Sequence, residues 1–355
     1  MLYIYKTYFT INESYVTYSK CNNTDIGPLI NNAISHYNLQ YTGDNKNSDI
    51  YIPCGYNHIE TELAQMLYYN PRQRIFGISG CDLIVSKNNL WHLLESCIGR
   101  REAGKIMPDT YILDNSEHMR LFKSVYKPNT VYILKKNIQR KLGLKLTTDY
   151  REIIMAKQDN YMVVQKYIND SFTIKNRKLN LRMYLLITCH KGVVKSYISK
   201  LGKCIYTNKD VTYNINDLDA EKHLTSLNLN NDIYNTHPLT LTDFKHYLES
   251  IGHNSAIVFN NIYKILTTCM KCVSPQLCKL PNLTNNITFQ LFGIDIIFDR
   301  YLNPYILEMN KGPDMIPKNQ GDREIKAKVE IDVFDIIGYK HRQSYSGNDF
   351  IRLNV

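Results

Sequence analysis

The chain has 355 residues, with 43 Lys and Arg against 33 Asp and Glu, a net charge of +10, and it is 44% hydrophobic and 21% charged. That length allows two or three structural units around a sizeable core, and the composition excludes a wholly disordered chain. No run approaches the ~18 apolar residues of a membrane span, so no membrane role is expected and a cytoplasmic protein is the default.

Residues 1–10 alternate Tyr and Ile with polar residues, which predicts a strand rather than a signal peptide. Short apolar strands are expected at 49–53 and 74–78, and helices at 60–69 and 90–98, where apolar residues recur at helical spacing. Pro108 breaks the second helix and leads into a strand ending at Leu113. Strands then follow at 131–134, 162–168, 179–190 and 193–199, and the segment 221–229 is ambiguous. Helices are expected at 241–252 and 256–270. Strands at 288–299 and 304–310 flank a turn, a helix covers 324–337, and the polar tail 341–355 frays. Helices around antiparallel and mixed strands make the fold class α+β, or α/β in a loose sense.

Charge is unevenly placed along this order. Seven basic residues and no acid lie between Lys123 and Lys145, and ten basic residues accompany only Asp170 between Gln165 and Lys209. Such segments attract polyanions, whether nucleotide phosphates, nucleic acid or an acidic polypeptide. Cys269, Cys272 and Cys278 cluster, but no fourth ligand follows at a zinc-site spacing, so reduced thiols beside a helix are expected. The 37 Asn, 28 Tyr and 7 Ala reflect AT-rich codons, as in some protists or large DNA viruses, rather than function.

Two groups of residues carry chemistry. Asp295 sits inside the apolar run Leu291-Phe292-Gly293-Ile294-Asp295-Ile296-Ile297-Phe298, where an unpaired acid is costly to bury. Glu308 and Asn310, two apart on the next strand, project to one face. If the two strands pair, two carboxylates and an amide oxygen meet, a hard donor set suited to Mg²⁺. The second group is basic. Lys135 and Lys166 end apolar strands, and Lys178, Asn180 and Arg182 share one face of another. Cations beside a carboxylate pair suit a polyphosphate–Mg²⁺ site. The loop after Lys135 holds one glycine, and no Walker A or GxGxxG pattern occurs.

These stretches together resemble the tubulin–tyrosine ligase-like family of ATP-grasp amino-acid ligases. Residues 90–113, with Gly99-Arg100 and the Met-Pro-Asp-Thr-Tyr segment, resemble the start of its ATP-grasp region. Lys135-Lys136-Asn137 resembles Lys-Pro-Asn, and Gln165-Lys166-Tyr167-Ile168 the adenine hinge. Arg177-Lys178-Leu179-Asn180-Leu181-Arg182-Met183-Tyr184 resembles Arg-Lys-Phe-Asp-Leu-Arg-x-Tyr, and His223-Leu224-Thr225-Ser226 resembles His-Leu-Thr-Asn. Phe289 to Asp295 and Leu307-Glu308-Met309-Asn310 resemble the two metal-bearing strands. The likeness covers roughly 85–338.

It implies an N-terminal α/β subdomain (1–84), a central ATP-grasp subdomain (85–160), a C-terminal ATP-grasp subdomain (161–340) and the tail. It implies an ATP- and Mg²⁺-dependent ligase that joins a free amino acid to tubulin or another acidic-tailed protein through an acyl phosphate. Lys135, Lys166, Lys178, Gln165, Tyr167, Ile168, Asn180, Thr225 and Ser226 would contact ATP, and Asp295, Glu308 and Asn310 would hold Mg²⁺. Arg182, Lys203 and Thr225 would serve the reacting groups.

The departures fall on the amino-acid pocket. Ile205 stands where glutamate-adding members place Arg in Gly-Leu-Val-Arg, although Lys203 is close in sequence. Ser226, Leu227 and Asn231 replace Asn, Tyr and Lys, and Asn180 replaces an acid. An amino-acid specificity unlike that of the glutamate-adding enzymes is expected, and Gln290 points weakly to the tyrosine-adding branch. The alternatives are a catalytically degenerate member that binds an acidic or cytoskeletal partner, and a basic nucleic-acid-binding protein. A Mg²⁺ triad is needed by neither alternative.

Overall fold

A computed structural model describes residues 16–21, 24–66, 70–138, 143–211, 214, 216–339 and 347–355. The strand expected at 1–10 lies outside the described residues, as do 139–142 of the basic loop and 341–346 of the tail.

Two sheets carry the fold. The larger has ten strands in the order β14-β11-β10-β12-β4-β3-β1-β2, with β13 added on β12 and β9 on β10. Its members are β1 (Thr17–Lys20), β2 (Gln40–Tyr41), β3 (Ile50–Ile52), β4 (Arg74–Phe76), β9 (Thr173–Ile174), β10 (Arg177–His190), β11 (Val193–Tyr206), β12 (Ile287–Phe298), β13 (Pro304–Asn310) and β14 (Phe350–Leu353). The smaller, in the order β5-β8-β6-β7, comprises β5 (Thr110–Ile112), β6 (Tyr132–Lys135), β7 (Leu144–Thr147) and β8 (Val163–Lys166). Parallel pairs β1–β3, β3–β4 and β4–β12 join antiparallel pairs around β10 and β12, so the large sheet is mixed.

The local sequence accounts for the long hairpins. β10 is apolar on both faces from Met183 to Ile187 and is buried there. It turns into β11 through Lys191 and Gly192, both at positive φ, the two-residue loop whose twist matches the flanking strands. β12 turns into β13 because Asp299 accepts hydrogen bonds from the backbone N–H groups of Tyr301 and Asn303, each at 2.9 Å. The edge of β12 is divided: Ile287 to Phe289 pair with β4, and Gly293 to Phe298 pair with β13. That division carries β13 to the part of the sheet opposite the smaller one.

The main core lies against the large sheet and takes in Leu90, Trp91 and Leu94 of the Lys87–Ile98 helix. A second core, with Phe122, Tyr132, Leu134 and Val164, sits under one face of the small sheet. The other face, bearing Lys135, Val163 and Gln165, turns towards the large sheet. The Ile306 N–H donates to the Ile106 carbonyl at 2.8 Å, fixing β13 near the start of β5.

Most expected elements are present, and the α+β class holds. The large sheet takes strands from both sides of residue 84, with β1 to β4 and β10 to β12 in one hydrogen-bonded array. Two features differ. The strand expected at 193–199 continues to Tyr206, because its polar residues keep in register with β10. The tail does not fray throughout: Phe350 to Leu353 pair with β11 as its edge strand and bury Leu353.

The cysteines also depart from the expectation of reduced thiols. Disulfides join Cys21 to Cys54, Cys97 to Cys272 and Cys189 to Cys278. Cys269 stays a buried free thiol, so the 269–278 group does not converge. Partners 175 and 89 residues apart cannot be read from local spacing.

Candidate active site

The central feature is a row of four charged side chains across four strands. In register, Lys203 of β11 pairs with Arg182 of β10, Arg182 with Asp295 of β12, and Asp295 with Glu308 of β13. Directly paired residues point to the same face, so the row presents two cations and then two carboxylates in line. Asn310 pairs with Gly293 and shares that face with Glu308.

Each member of the row is held. Arg182 binds Asp295 with two parallel bonds, Nε to Oδ1 at 2.6 Å and a terminal nitrogen to Oδ2 at 3.1 Å. Burial opposes the guanidinium charge, but Asp295 outweighs it and raises the Arg182 pKa. Asn310 Nδ2 donates to Glu308 Oε1 at 3.1 Å, and Lys87 Nζ stands 3.6 Å from Glu308 Oε2. Burial pushes the Glu308 carboxyl upward, yet Lys87, Lys135, Asn310 and Arg182 together hold it below its ordinary value.

Two buried lysines flank this row, Lys178 on its own strand β10 and Lys135 from the small sheet. Lys135, 5% exposed, leaves the small sheet and donates to the Leu307 carbonyl at 3.5 Å. Burial lowers its pKa to about 8, against the pull of Glu308. Lys178, 4% exposed, lies 3.8 Å from the centre of the Tyr167 ring and donates to the Ile168 carbonyl at 3.4 Å. Burial first and Lys135 second lower its pKa to about 7. Among the described residues no carboxylate forms an ion pair with Lys178. A buried cation held only by a ring and a carbonyl suits an incoming anion. Two residues on, Asn180 is buried and its Oδ1 has no hydrogen-bond partner. That orphaned acceptor fits a ligand hydroxyl, so this side of the site matches a nucleotide's phosphates and ribose. Asp295, Glu308 and Asn310 supply the hard oxygen set that Mg²⁺ prefers.

The other expected residues are spread around this centre. Lys203 Nζ is 3.0 Å from Oδ1 of the fully buried Asp322. Gln165 is buried, with Nε2 donating to Thr110 Oγ1 at 2.7 Å and to the Pro108 carbonyl at 3.3 Å, so its side chain is spent within the protein. Lys166 is exposed and pairs in register with Tyr132, on the face of the small sheet opposite Lys135. The geometry does not bring its ammonium to the other cations. Tyr167 shares its hydroxyl with His223 Nδ1 at 2.9 Å. The other nitrogen of His223 meets the Asp217 carbonyl at 2.6 Å, so it is the donor there and Nδ1 accepts from Tyr167. Thr225 and the exposed Ser226 follow on the loop, where the Ser226 N–H donates to the Tyr206 carbonyl at the end of β11. Gln290 is buried away from the row, bridging Ile78 N and the Lys311 carbonyl.

Three contributors escape the sequence reading. Lys87 starts the Lys87–Ile98 helix, whose first turn is tied to the strand end at Lys135 by Asn137 Oδ1 accepting from the Lys87 N–H at 3.0 Å. His223 holds Tyr167 under Lys178. Asp322, in the first turn of the Gln320–Ile336 helix, holds both Lys203 and Lys326. Only His223 lay within a quoted motif. Lys87 and Asp322 act across more than 100 residues, and nothing local marks them.

A profile of the tubulin–tyrosine ligase family matches residues 59–344. A probable beta-tubulin polyglutamylase of Tetrahymena thermophila is 24% identical over 324 residues, covering 84% of this chain and 26% of that protein. Tubulin polyglutamylase TTLL6 of Mus musculus is 24% identical over 325 residues, 87% of this chain and 39% of its own length. Probable tubulin polyglutamylase TTLL9 of Rattus norvegicus is 27% identical over 191 residues, 52% of this chain and 40% of its own. The chain thus spans well under half the length of these relatives. Among the described residues, no helix is long and apolar enough to cross a membrane. With the profile covering most of its length, the chain belongs to the tubulin–tyrosine ligase family.

Proposed function

We propose that this protein uses ATP to join a free amino acid to a carboxylate of a protein acceptor, with tubulin or another acidic-tailed protein as the acceptor class. The observation that carries the reading is the row Lys203–Arg182–Asp295–Glu308, with the buried Lys178 four residues along its own strand β10 and the buried Lys135 reaching in from the small sheet. Neither nucleic-acid binding nor passive docking calls for paired carboxylates beside buried lysines. The printed names of the relatives favour tubulin as the first acceptor to test.

In this reading Lys178 and Lys135 take their full charge when the polyphosphate arrives and neutralise it. Tyr167 and Ile168 border the base, and the Asn180 amide oxygen accepts from a ribose hydroxyl. Asp295, Glu308 and Asn310 would hold Mg²⁺, which screens the phosphate oxygens and draws charge from the transferred phosphoryl group. The acceptor carboxylate attacks that group, giving ADP and an acyl phosphate. The amine of the amino acid then attacks the acyl carbon, and phosphate leaves. Arg182, fixed by Asp295 between the metal-binding pair and Lys203, faces the charge on the tetrahedral centre. The fold supplies positioning by holding these groups on adjacent strands.

The test is incubation with tubulin, Mg·ATP and each isotopically labelled amino acid in turn, read by mass spectrometry of the acceptor. A mass gain of one or more residues that needs ATP is expected. Absence of a gain with every amino acid, alongside unchanged ATP, would remove the ligase assignment for this acceptor.

A further inference from the structure

The cations on the amino-acid side of the site are already engaged, and this bears on which amino acid fits. Lys203 has 15% of its side chain exposed and is paired at 3.0 Å with Asp322, which is fully buried. Asp322 also binds Lys326 at 2.8 Å, and Lys326 donates to the Ile316 carbonyl at 2.7 Å and is itself 2% exposed. Burial pushes the Asp322 carboxyl up, but Lys203 and Lys326 overcome this and keep it below its usual range, so it is an anion. Arg182 is held by both oxygens of Asp295. Lys87 and Lys135 sit with Glu308, and Lys178 lies beyond Asn180 at Tyr167.

Among the described residues on this part of the face, Lys203 is therefore the one partly accessible cation beyond Arg182. Lys203, Lys326 and Lys318 against Asp322 and Asp314 leave a single positive charge there. Every amino acid brings one α-carboxylate, which that charge can meet. A second carboxylate on the side chain finds none. Two positions along β11 on the same face is Ile205, 6% exposed and in register with Asn180. A carboxylate set against an isoleucine, beside the Asp322 anion, is desolvated without a partner.

We propose that this site takes an amino acid whose side chain is uncharged, and discriminates against glutamate and aspartate. The inference rests on the ligase reading above and deepens it by naming the substrate class. It sets this chain apart from the relatives named polyglutamylases.

Direct binding separates the two claims. The full chain is titrated with Mg·ADP by calorimetry, and the loaded protein is then titrated with glutamine, leucine, tyrosine, glycine, glutamate and aspartate. At least one neutral amino acid is expected to bind about tenfold or more tightly than glutamate. Asp322→Asn, which releases Lys203, is expected to raise glutamate affinity several-fold. Because Asp322 also accepts the Lys318 N–H at 2.9 Å ahead of its helix, Ile205→Arg is the second variant and is expected to act in the same direction. Glutamate binding as tightly as every neutral amino acid in the wild type overturns the specificity inference alone. ADP binding with no amino acid bound at millimolar concentration also overturns it. Failure to bind Mg·ADP at all overturns the ligase reading beneath it.

Discussion

Lys178 shows at the scale of one residue how a site can cost the fold stability. Its ammonium is buried beside a ring and a carbonyl, and its pKa falls to about 7 from the ordinary 10.5. Between those values the unfolded chain binds a proton that the folded protein does not, so stability from this group rises as pH climbs from about 7 to about 10.5. Below pH 7 the penalty is fully present. Replacing Lys178 by Met is expected to raise the melting temperature of the nucleotide-free protein at neutral pH and flatten this dependence. The same variant is expected to weaken Mg·ATP binding, read by calorimetry, at least tenfold. A variant that lowers stability at neutral pH would show that the lysine is satisfied in the folded protein. Asp295 has the opposite balance, because it holds Arg182. Asp295→Asn is expected to cost up to about 3 kcal/mol in denaturant unfolding, since it leaves a largely buried guanidinium poorly paired. Glu308→Gln removes the counter-charge of Lys87 and Lys135 but keeps the side-chain shape at a partly exposed site, and is expected to lower the unfolding midpoint less than Asp295→Asn.

At the scale of elements, the row depends on how closely β11 lies on β10. A Cβ added at Gly202, next to Lys203, would stand 2.4 Å from the Arg182 carbonyl and 3.0 Å from Leu241. The backbone oxygen cannot move without parting the strands at the row. Gly202→Ala is expected to destabilise the protein by roughly 1–3 kcal/mol, measured by chemical denaturation, and to reduce ATP turnover more than that loss accounts for. Wild-type stability and turnover in this variant would mean that the strands have slack there. Most strands were legible in the sequence because alternation and apolar runs are local properties, as in β12 and β13. The pairing of Asp295 with Glu308 followed from a short turn. The extension of β11 to Tyr206 did not, since Lys200 and Lys203 interrupt its apolar pattern and only the partner strand keeps it extended. For the same reason Lys166 read as a site residue: its place at a strand end was visible, but the face it takes is set by the sheet.

At the scale of the whole molecule, the net +10 divides into two populations. Within 165–209, Arg177 pairs with Asp210, Arg182 with Asp295, Lys203 with Asp322, and Lys209 with Asp219 and Glu221. Lys191, Lys195 and Lys200 are exposed, and among the described residues none forms an ion pair. These three are expected to contribute ~0.2–1 kcal/mol each to binding an acidic peptide, an effect that fades as salt rises. Neutralising all three to Gln should weaken peptide binding and reduce its salt dependence, measured by fluorescence anisotropy between low and physiological ionic strength. Unchanged affinity would place the acceptor elsewhere. The sequence located the basic segments, but their division into paired and free charge needed the fold, because Asp295 and Asp322 lie more than 100 residues from their partners.

The central claim is that Asp295, Glu308 and Asn310 support phosphoryl transfer from ATP. Its most direct test is ADP release at saturating Mg·ATP with acceptor and amino acid present, comparing the wild type with Glu308→Gln. Turnover by the wild type is expected, with a loss of about 100-fold or more in the variant while it remains folded at the assay temperature. Equal turnover by the two proteins would contradict the claim.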